Sequence, residues 1–208
     1  MSLLFDLPHK RFLTIDFETE GLNLGRSRPW QVAWIVGDNK GNILKERDYV
    51  LDVPNLQIRD IVAKLTGFTW ETYNARKTAI RPVLEELEAD MRDCAIVGQN
   101  ILGFDVYMLA VARRMAGLPI DYSYISRVID TKALSKALNL DIKPDGIRDL
   151  ILWQYKVLNL EKKAGKNDQL SLLKKYGIKF DESKLHDALY DVHMTNKLFL
   201  EMANRIKC

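Results

Sequence analysis

The stretch RFLTIDFE, residues 11–18, alternates apolar and polar side chains. Its apolar residues recur at every second position, which is the period of a β-strand with one face in a core. Asp16 and Glu18 share the opposite face about 6.7 Å apart, a spacing from which both carboxylates can reach one hard cation. A single pair of acids is more often a strand end that runs into solvent, so the stretch by itself predicts only the first strand of a sheet.

The rest of the pattern predicts an α/β fold whose mixed sheet of about five strands is flanked by helices. Two strands at about 30–36 and 42–51 are joined by the turn-forming segment 37–41, so a hairpin follows the first strand. Short apolar segments at 94–97 and 126–129 alternate with helices and complete the sheet. The predicted helices cover about 82–91, 104–116, 131–138, 146–159 and 169–176, and a last one runs through 189–200.

Length and composition indicate one folded domain. The 208 residues are 47% hydrophobic and 28% charged, so we expect a single domain over 1–208 with its core at about 11–204. The net charge of +3 permits contact with polyanions but does not require it. The chain has no long apolar segment and no basic leader, so we expect a cytoplasmic protein with no membrane contact. Cys94 and Cys208 are far apart and are expected to be reduced bystanders.

Two further segments place acids at predicted helix starts. The segment GQNILGFD, residues 98–105, leads from a buried strand into a helix with Asp105 in its first turn, where capping is the ordinary explanation for an acid. The segment HDALYD, residues 186–191, opens the last helix. His186 and Asp191 would lie about 140° apart on a regular helix, so they can share a site only if His186 lies in the first turn or in the loop before it. Taken singly, His186 is more often a residue that faces water.

Together, these three segments resemble the motifs of the DEDD exonucleases of the RNase H-like superfamily. Residues 15–21 are similar to the family's D-x-E-T-T-G motif, 100–105 to H-N-x-x-F-D, and 186–191 to H-x-A-x-x-D. The last motif marks the histidine-bearing branch, which includes the proofreading subunit of bacterial DNA polymerase III. Weaker likenesses at 130–134 and 173–178 extend the resemblance over about 12–200.

The sequence departs from the family pattern at a few positions. Gln99 stands where the second motif commonly has a histidine, and one extra residue separates Asn100 from Phe104. Glu20 replaces the usual second threonine of the first motif. These departures leave the acids of the three motifs intact, namely Asp16, Glu18, Asp105 and Asp191. They affect the expected fit of the terminal nucleotide.

The resemblance implies a metal-dependent 3′ to 5′ exonuclease that releases nucleoside 5′-monophosphates. It implies that two divalent cations, Mg²⁺ or Mn²⁺, are held by four carboxylates, which supply the hard oxygen ligands these ions prefer. These acids are Asp16, Glu18, Asp105 and Asp191. His186 is the implied general base, since imidazole can take a proton from metal-bound water at neutral pH, and His193 is a weaker candidate.

The resemblance also implies five contacts to the terminal nucleotide, and some of these residues have other interpretations. The contacts are Thr19, Leu22, Leu24, Asn100 and Phe104. Leu22 and Phe104 are equally well explained as core residues, and Asn100 as a turn residue.

Alternatives remain open for both substrate and activity. DNA 3′ ends are favoured, with a polymerase in trans as a possible partner, but the same site can trim RNA, since no residue reveals a contact to a 2′ hydroxyl. The chain could also be an inactive nucleic-acid-binding module that keeps the fold without the chemistry. The intact acids and His186 speak against that third interpretation.

Overall fold

The computed structural model describes residues 2–144, 149–162 and 165–207, and within them six strands form one mixed sheet. The strands are β1 Arg11–Thr19, β2 Pro29–Asp38, β3 Ile43–Leu51, β4 Lys77–Thr78, β5 Ala95–Gly98 and β6 Val128–Asp130. The helices are α1 Leu3–Asp6, α2 Asp60–Thr66, α3 Trp70–Arg76, α4 Ile80–Met91, α5 Asp105–Met115, α6 Thr131–Leu140, α7 Leu150–Leu158, α8 Gln169–Tyr176 and α9 Ala188–Arg205. The predicted α/β fold with a mixed sheet is therefore confirmed.

The sheet has the strand order β4-β3-β2-β1-β5-β6. β1, β2 and β3 pair antiparallel, which confirms the predicted hairpin after the first strand. β5 runs parallel to β1, and β6 runs parallel to β5. The two-residue β4 adds a parallel edge to β3 and makes one strand more than the sequence predicts. Because β1 and β5 are parallel neighbours, their carboxyl ends lie at the same edge of the sheet. The first motif lies at the end of β1, and the second motif follows β5.

Helices cover both faces of the sheet, and the alternation along β1 decides which residues face which layer. The apolar residues Leu13, Ile15 and Phe17 join the core on the side of α4 and α5. On the other face Phe12 packs against Phe199 of α9, with ring centroids 4.8 Å apart, and the Thr14 hydroxyl donates to Asn196 Oδ1 at 3.3 Å. The polar face of β1 is thus covered by α9.

Several element ends differ from the predicted ones. The residues before Asp105 form a 3-10 turn at Ile101–Gly103, so α5 begins one residue later than expected. A second 3-10 turn, Ile125–Arg127, replaces the start of the predicted strand at 126–129. The predicted helix at 146–159 is represented by α7, and its first residues lie outside the described ranges, as does Cys208.

Buried residues reach beyond the predicted core at 11–204. Leu3 and Ile206 are both buried, and the Leu3 N–H donates to the Ile206 carbonyl at 2.9 Å. Cys94 is a buried free cysteine, as expected. Among the helices of the described ranges, none combines the length and the apolar character that crossing a bilayer requires.

Candidate active site

Three carboxylates from two elements converge at the end of β1. Asp16 and Glu18 lie on the polar face of the strand, and Asp191 lies in the first turn of α9, which crosses that face. One oxygen atom from each of the three lies within 4.8 Å of the others. Hard carboxylate oxygens at this separation are suitable ligands for a divalent cation.

Asp105 lies next to this trio, at the start of α5. Only 4% of Asp105 is exposed, and its Oδ1 atom has no hydrogen-bond partner among the described residues. Burial raises the pKa of Asp105 well above its usual range, and the neighbouring Asp16 carboxylate raises it further. Asp105 is therefore a neighbour of Asp16, although its oxygens are not part of the group of three.

The proximity of these acids perturbs their ionisation. Burial raises the pKa of Asp16 to about 7. Burial, followed by the charges of Asp16 and Asp191, raises the pKa of Glu18 to about 10. Burial and Asp16 raise the pKa of Asp191 to about 8, and the Asp191 Oδ1 atom also lacks a hydrogen-bond partner among the described residues. Crowded carboxylates with unpartnered buried oxygens fit a divalent cation, whose charge would offset their repulsion.

His186 lies in the loop before α9, as its spacing from Asp191 requires. Its backbone adopts a φ of 70°, and its N–H donates to Asp191 Oδ2 at 3.0 Å. Asp187 caps the helix by accepting from the Tyr190 N–H at 2.9 Å. Burial lowers the pKa of His186, which favours the neutral imidazole that can accept a proton. The loop therefore ties the backbone of His186 to one of the three carboxylates.

Asp130 holds the turn of the second motif, a role that the sequence did not reveal. The Asp130 carboxylate accepts from the backbone N–H groups of Asn100 and Leu102, both at 3.1 Å. Asp130 is fully buried at the end of β6, where it also caps α6. Gly98 is required beside it, because a β-carbon there would lie 2.8 Å from the Ile101 β-carbon. The weak likeness at 130–134 was the signal that could have identified Asp130.

The residues expected to contact the terminal nucleotide differ in exposure. Thr19 is buried, and its hydroxyl donates to the Gly21 carbonyl at 2.6 Å. Leu22 and Leu24 are 85% and 40% exposed, so neither is a core residue. Phe104 is half-buried at the edge of the core on the α5 side. The Asn100 side chain accepts from Lys132 Nζ at 3.0 Å, which makes it more than a turn residue.

The Glu20 carboxylate, the family departure in the first motif, holds two loops together. It accepts from the Nε of Arg28 at 2.9 Å and from its backbone N–H at 3.1 Å. It also accepts from the Gln57 N–H at 2.8 Å. Arg28 in turn donates to the carbonyls of Pro54 and Asn55, at 2.6 and 2.8 Å. The loop after β1 is thereby fastened to the segment after β3.

A cleft that the sequence did not predict lies beside His186. It has a volume of about 660 Å³ and runs between residues 64–67, at the end of α2, and residues 183–193. We call it the α2 cleft. His193 also lines it, and its Nε2 atom lies 2.6 Å from Glu46 Oε2, so this histidine is paired outside the carboxylate trio.

The comparisons with known proteins agree with this geometry. The RNase_T family model, described as an exonuclease, matches residues 13–199. No curated protein sequence matches the chain. Among solved structures, the chain is similar to a zinc-ion-bound form of the E. coli ExoI–ssDNA complex, with a TM-score of 0.73 and 20% identity over 94% of this chain and 41% of that chain.

Other structures of exonuclease I are similar to a comparable degree. A complex with a dA16 oligonucleotide has a TM-score of 0.72 and 19% identity over 94% of this chain and 41% of that chain. A product-bound structure has a TM-score of 0.70 and 19% identity over 93% of this chain and 43% of that chain. This chain thus spans about two fifths of the length of those chains, and the likeness confirms the RNase H-like fold. Because the family model covers most of the sequence, the chain belongs to the exonuclease family, within the DEDD 3′ to 5′ exonucleases.

Proposed function

We propose that this chain is a metal-dependent 3′ to 5′ exonuclease that hydrolyses DNA to nucleoside 5′-monophosphates. The observation that carries the proposal is the convergence of Asp16, Glu18 and Asp191, with His186 bound through its backbone to Asp191. Support for DNA comes from the similar structures of E. coli exonuclease I, which are described as complexes with single-stranded DNA and with a dA16 oligonucleotide.

Four carboxylates would hold two divalent cations, Mg²⁺ or Mn²⁺. Asp16, Glu18 and Asp191 would hold one ion, and Asp16 with Asp105 would hold the other. When bound, such ions lower the pKa of a water molecule and stabilise the charge that develops on the leaving oxygen. The unpartnered buried oxygens of Asp105 and Asp191 support this assignment, since buried polar atoms normally have partners.

The other roles follow from position. His186 would accept the proton from the attacking water at a ring nitrogen, and the lowered pKa of His186 keeps that nitrogen free at neutral pH. The exposed side chains of Leu22 and Leu24 would contact the terminal base. Thr19, Asn100 and Phe104 would position its sugar and phosphate. Each of these roles is a proposal that substitution can test.

The decisive experiment compares substrates with Mg²⁺ present. End-labelled linear single-stranded DNA should be shortened from its 3′ end with release of nucleoside 5′-monophosphates, while closed circular single strands survive. Rapid nicking of the circles would refute the requirement for an end. Faster hydrolysis of a matched RNA would favour the trimming nuclease, and binding without hydrolysis would favour the inactive module.

Three wider expectations belong to the same proposal. The chain would act as a single domain over 1–208 with its core at about 11–204. It would work in the cytoplasm, and a polymerase could supply its 3′ ends in trans. Co-purification with a polymerase from cells of the source organism would test that last expectation.

A further inference from the structure

Residues 167–169 form a short segment that contacts both the second and the third motif. The segment leads into α8, and Asp168 caps that helix by accepting from the Ser171 N–H at 2.9 Å. Its other two residues, Asn167 and Gln169, each form hydrogen bonds toward a different motif. We call residues 167–169 the bridging segment.

On one side the bridging segment is bound by Gln99, which directly precedes Asn100 of the second motif. The Gln99 Nε2 atom donates to the Asn167 carbonyl at 2.6 Å, and its Oε1 atom accepts from the Thr131 hydroxyl. Asn167 is held a second time, because its Oδ1 atom accepts from the Ser135 hydroxyl at 2.8 Å. Thr131 and Ser135 are fully buried in α6. The segment is therefore fixed to the helix that begins beside the second-motif turn.

On the other side Gln169 reaches the first turn of α9. Its Nε2 atom donates to the Asp191 carbonyl and to the Thr195 hydroxyl oxygen, both at 2.9 Å. Asp191 and Thr195 are four residues apart, so they lie on one face of the helix, and both are buried. The Asp191 carboxylate is bound separately by the His186 N–H. Gln169 thus binds the backbone from which that carboxylate projects.

The docking of α8 does not depend on the Gln169 amide. Leu172 and Leu173 of α8 are fully buried, in the same apolar cluster as Met194 and Leu198 of α9. These contacts already hold the two helices together. The amide adds a directional bond at the position of a candidate metal ligand, and metal ligands depend on such surrounding hydrogen bonds for their orientation.

We propose that Gln169 is a positioning residue for Asp191, and that Gln99 anchors the bridging segment so that Asp191 stays in register with the turn that carries Asp105. The proposal rests on the proposed function, because it takes both acids as metal ligands. Gln99 and Gln169 act through these acids and contact neither the metal nor the substrate.

Hydrogen exchange of the metal-free protein in EDTA tests the proposal without turnover. Gln169→Met keeps the length of the side chain but removes its donor, so a peptide covering 187–196 should exchange roughly 2- to 10-fold faster, as for the loss of one hydrogen bond. A peptide covering 198–205, at the far end of α9, should keep the wild-type rate. Gln169→Lys, which restores an N–H donor, should recover the protection.

The role of Gln99 is tested in the same measurement. Gln99→Met should also accelerate exchange over 187–196, although Gln99 itself does not bind α9. In the double variant the two effects should not multiply, because both substitutions loosen the same segment. Fully multiplicative effects would overturn the anchoring role of Gln99.

Hydrolysis of a single-stranded oligonucleotide in Mg²⁺ gives the second readout. Gln169→Met should lower kcat about 10-fold and raise the Mg²⁺ concentration needed for half-maximal activity, since loss of an outer hydrogen bond at a metal ligand typically costs about 10- to 100-fold in metal affinity or activity. KM for the oligonucleotide should stay at the wild-type value, because no contact to the strand is removed.

Lys136→Met is the matched control. The Lys136 Nζ atom also donates to two main-chain carbonyls, those of Leu158 and Leu160 at 2.9 and 2.6 Å, but these lie at the end of α7 and just after it. This variant should leave kcat and the exchange over 187–196 unchanged. In Gln169→Met, wild-type exchange over 187–196, or an equal acceleration over 198–205, would overturn the proposal. A wild type that does not hydrolyse DNA overturns the exonuclease, whereas wild-type exchange in a fully active Gln169→Met overturns only the positioning role.

Discussion

Asp16 is the acid that acts on each of the other three, because burial first, and the Asp16 charge next, raise the pKa of Glu18, Asp105 and Asp191. Each of these four side chains lies close to other carboxylates, and the repulsion between their charges is unfavourable. Such crowding is tolerated at functional sites, where a cation offsets it. Two opposite effects of substitution follow, one on activity and one on stability.

We predict that Asp16→Asn, Asp105→Asn and Asp191→Asn each lower hydrolysis to near background, because each removes a ligand of the metal pair. Without metal, thermal unfolding should occur at the wild-type temperature or above it, since a neutral amide relieves repulsion. Hydrolysis assays and thermal melts in EDTA would check both. Asp93→Asn, at an exposed acid in the turn after α4, is the control and should change neither. Retained turnover in two of the three variants would contradict the assignment.

His186 provides a separate test, because the proposed base need not bind metal. His186→Ala should lower kcat about 10² to 10⁴-fold while metal affinity stays unchanged. In the wild type the rate should rise with pH as the ring loses its proton. The inflection should lie below about 6.5, because burial lowers the pKa of His186.

Rate profiles against pH for the wild type, His186→Ala and His193→Gln would measure this. The inflection should vanish in His186→Ala and persist in His193→Gln, since His193 is paired with Glu46. An inflection that survives in His186→Ala would assign the proton transfer to another group. A large loss of metal affinity would instead make His186 a ligand.

Part of the arrangement of these residues could be predicted from the sequence for a physical reason. Strand alternation fixes the face of Asp16 and Glu18, and helix geometry requires His186 to lie in the loop before α9. The position of Asp105 just outside the trio could not be predicted, because it depends on the 3-10 turn before α5. That turn is held by Asp130, about 30 residues away in sequence. Local sequence patterns carry no signal for a contact over that separation.

At the scale of elements, the loops at the end of β1 and β3 are joined through Glu20, whose side chain is 10% exposed. We predict that Glu20→Gln lowers the free energy of unfolding by roughly 1.5 to 3 kcal/mol, the range for hydrogen bonds to a charged group. The reason is that an amide cannot accept from Arg28 and Gln57 on both of its atoms. Urea unfolding would measure the change.

The matched control is Glu85→Gln, which removes an i,i+4 pair with Arg81. Both side chains of that pair are more than half exposed, at 59% and 61%. Its effect should stay within about 1 kcal/mol, as for most surface pairs. Equal losses in the two variants would mean that the Glu20 network contributes no more than a surface ion pair.

The elements themselves were predicted unevenly. Long amphipathic helices and the alternating β1 carry a strong periodic signal, and both lie where expected. The two-residue β4 is too short to show a period, and it forms only because Val50 and Leu51 offer a pairing edge. The α2 cleft was missed because its walls are far apart in sequence. Arg28 and Gln57 meet Glu20 for the same non-local reason.

For the whole molecule, the acid cluster couples stability to pH. Unfolding would return Asp16, Glu18 and Asp191 to ordinary pKa values of about 4, from about 7, 10 and 8 in the folded protein. Between these limits the folded state holds more protons than the unfolded state, so stability falls as pH rises. We predict that the metal-free protein loses thermal stability from about pH 5 to about pH 8.

Melting temperatures in EDTA across that window would measure the loss. Adding Mg²⁺ should restore more stability at the alkaline end, because the ion binds the ionised carboxylates. Asp16→Asn should flatten the metal-free curve, since it removes both a titrating group and a charge that acts on its neighbours. A metal-free curve that rises across the window would mean that these acids are not crowded in solution.

The left-handed backbone of His186 has a consequence for how this enzyme could be made more durable. For a residue with a β-carbon, that conformation costs roughly 1 to 2 kcal/mol of free energy, whereas glycine adopts it freely. At most exposed positions alanine gives a more stable protein than glycine, because glycine loses more freedom when the chain folds. At position 186 the order of the two should be reversed. Durability therefore favours glycine at the position where the proposed mechanism needs an imidazole, so screening for heat resistance alone would select against the proposed general base.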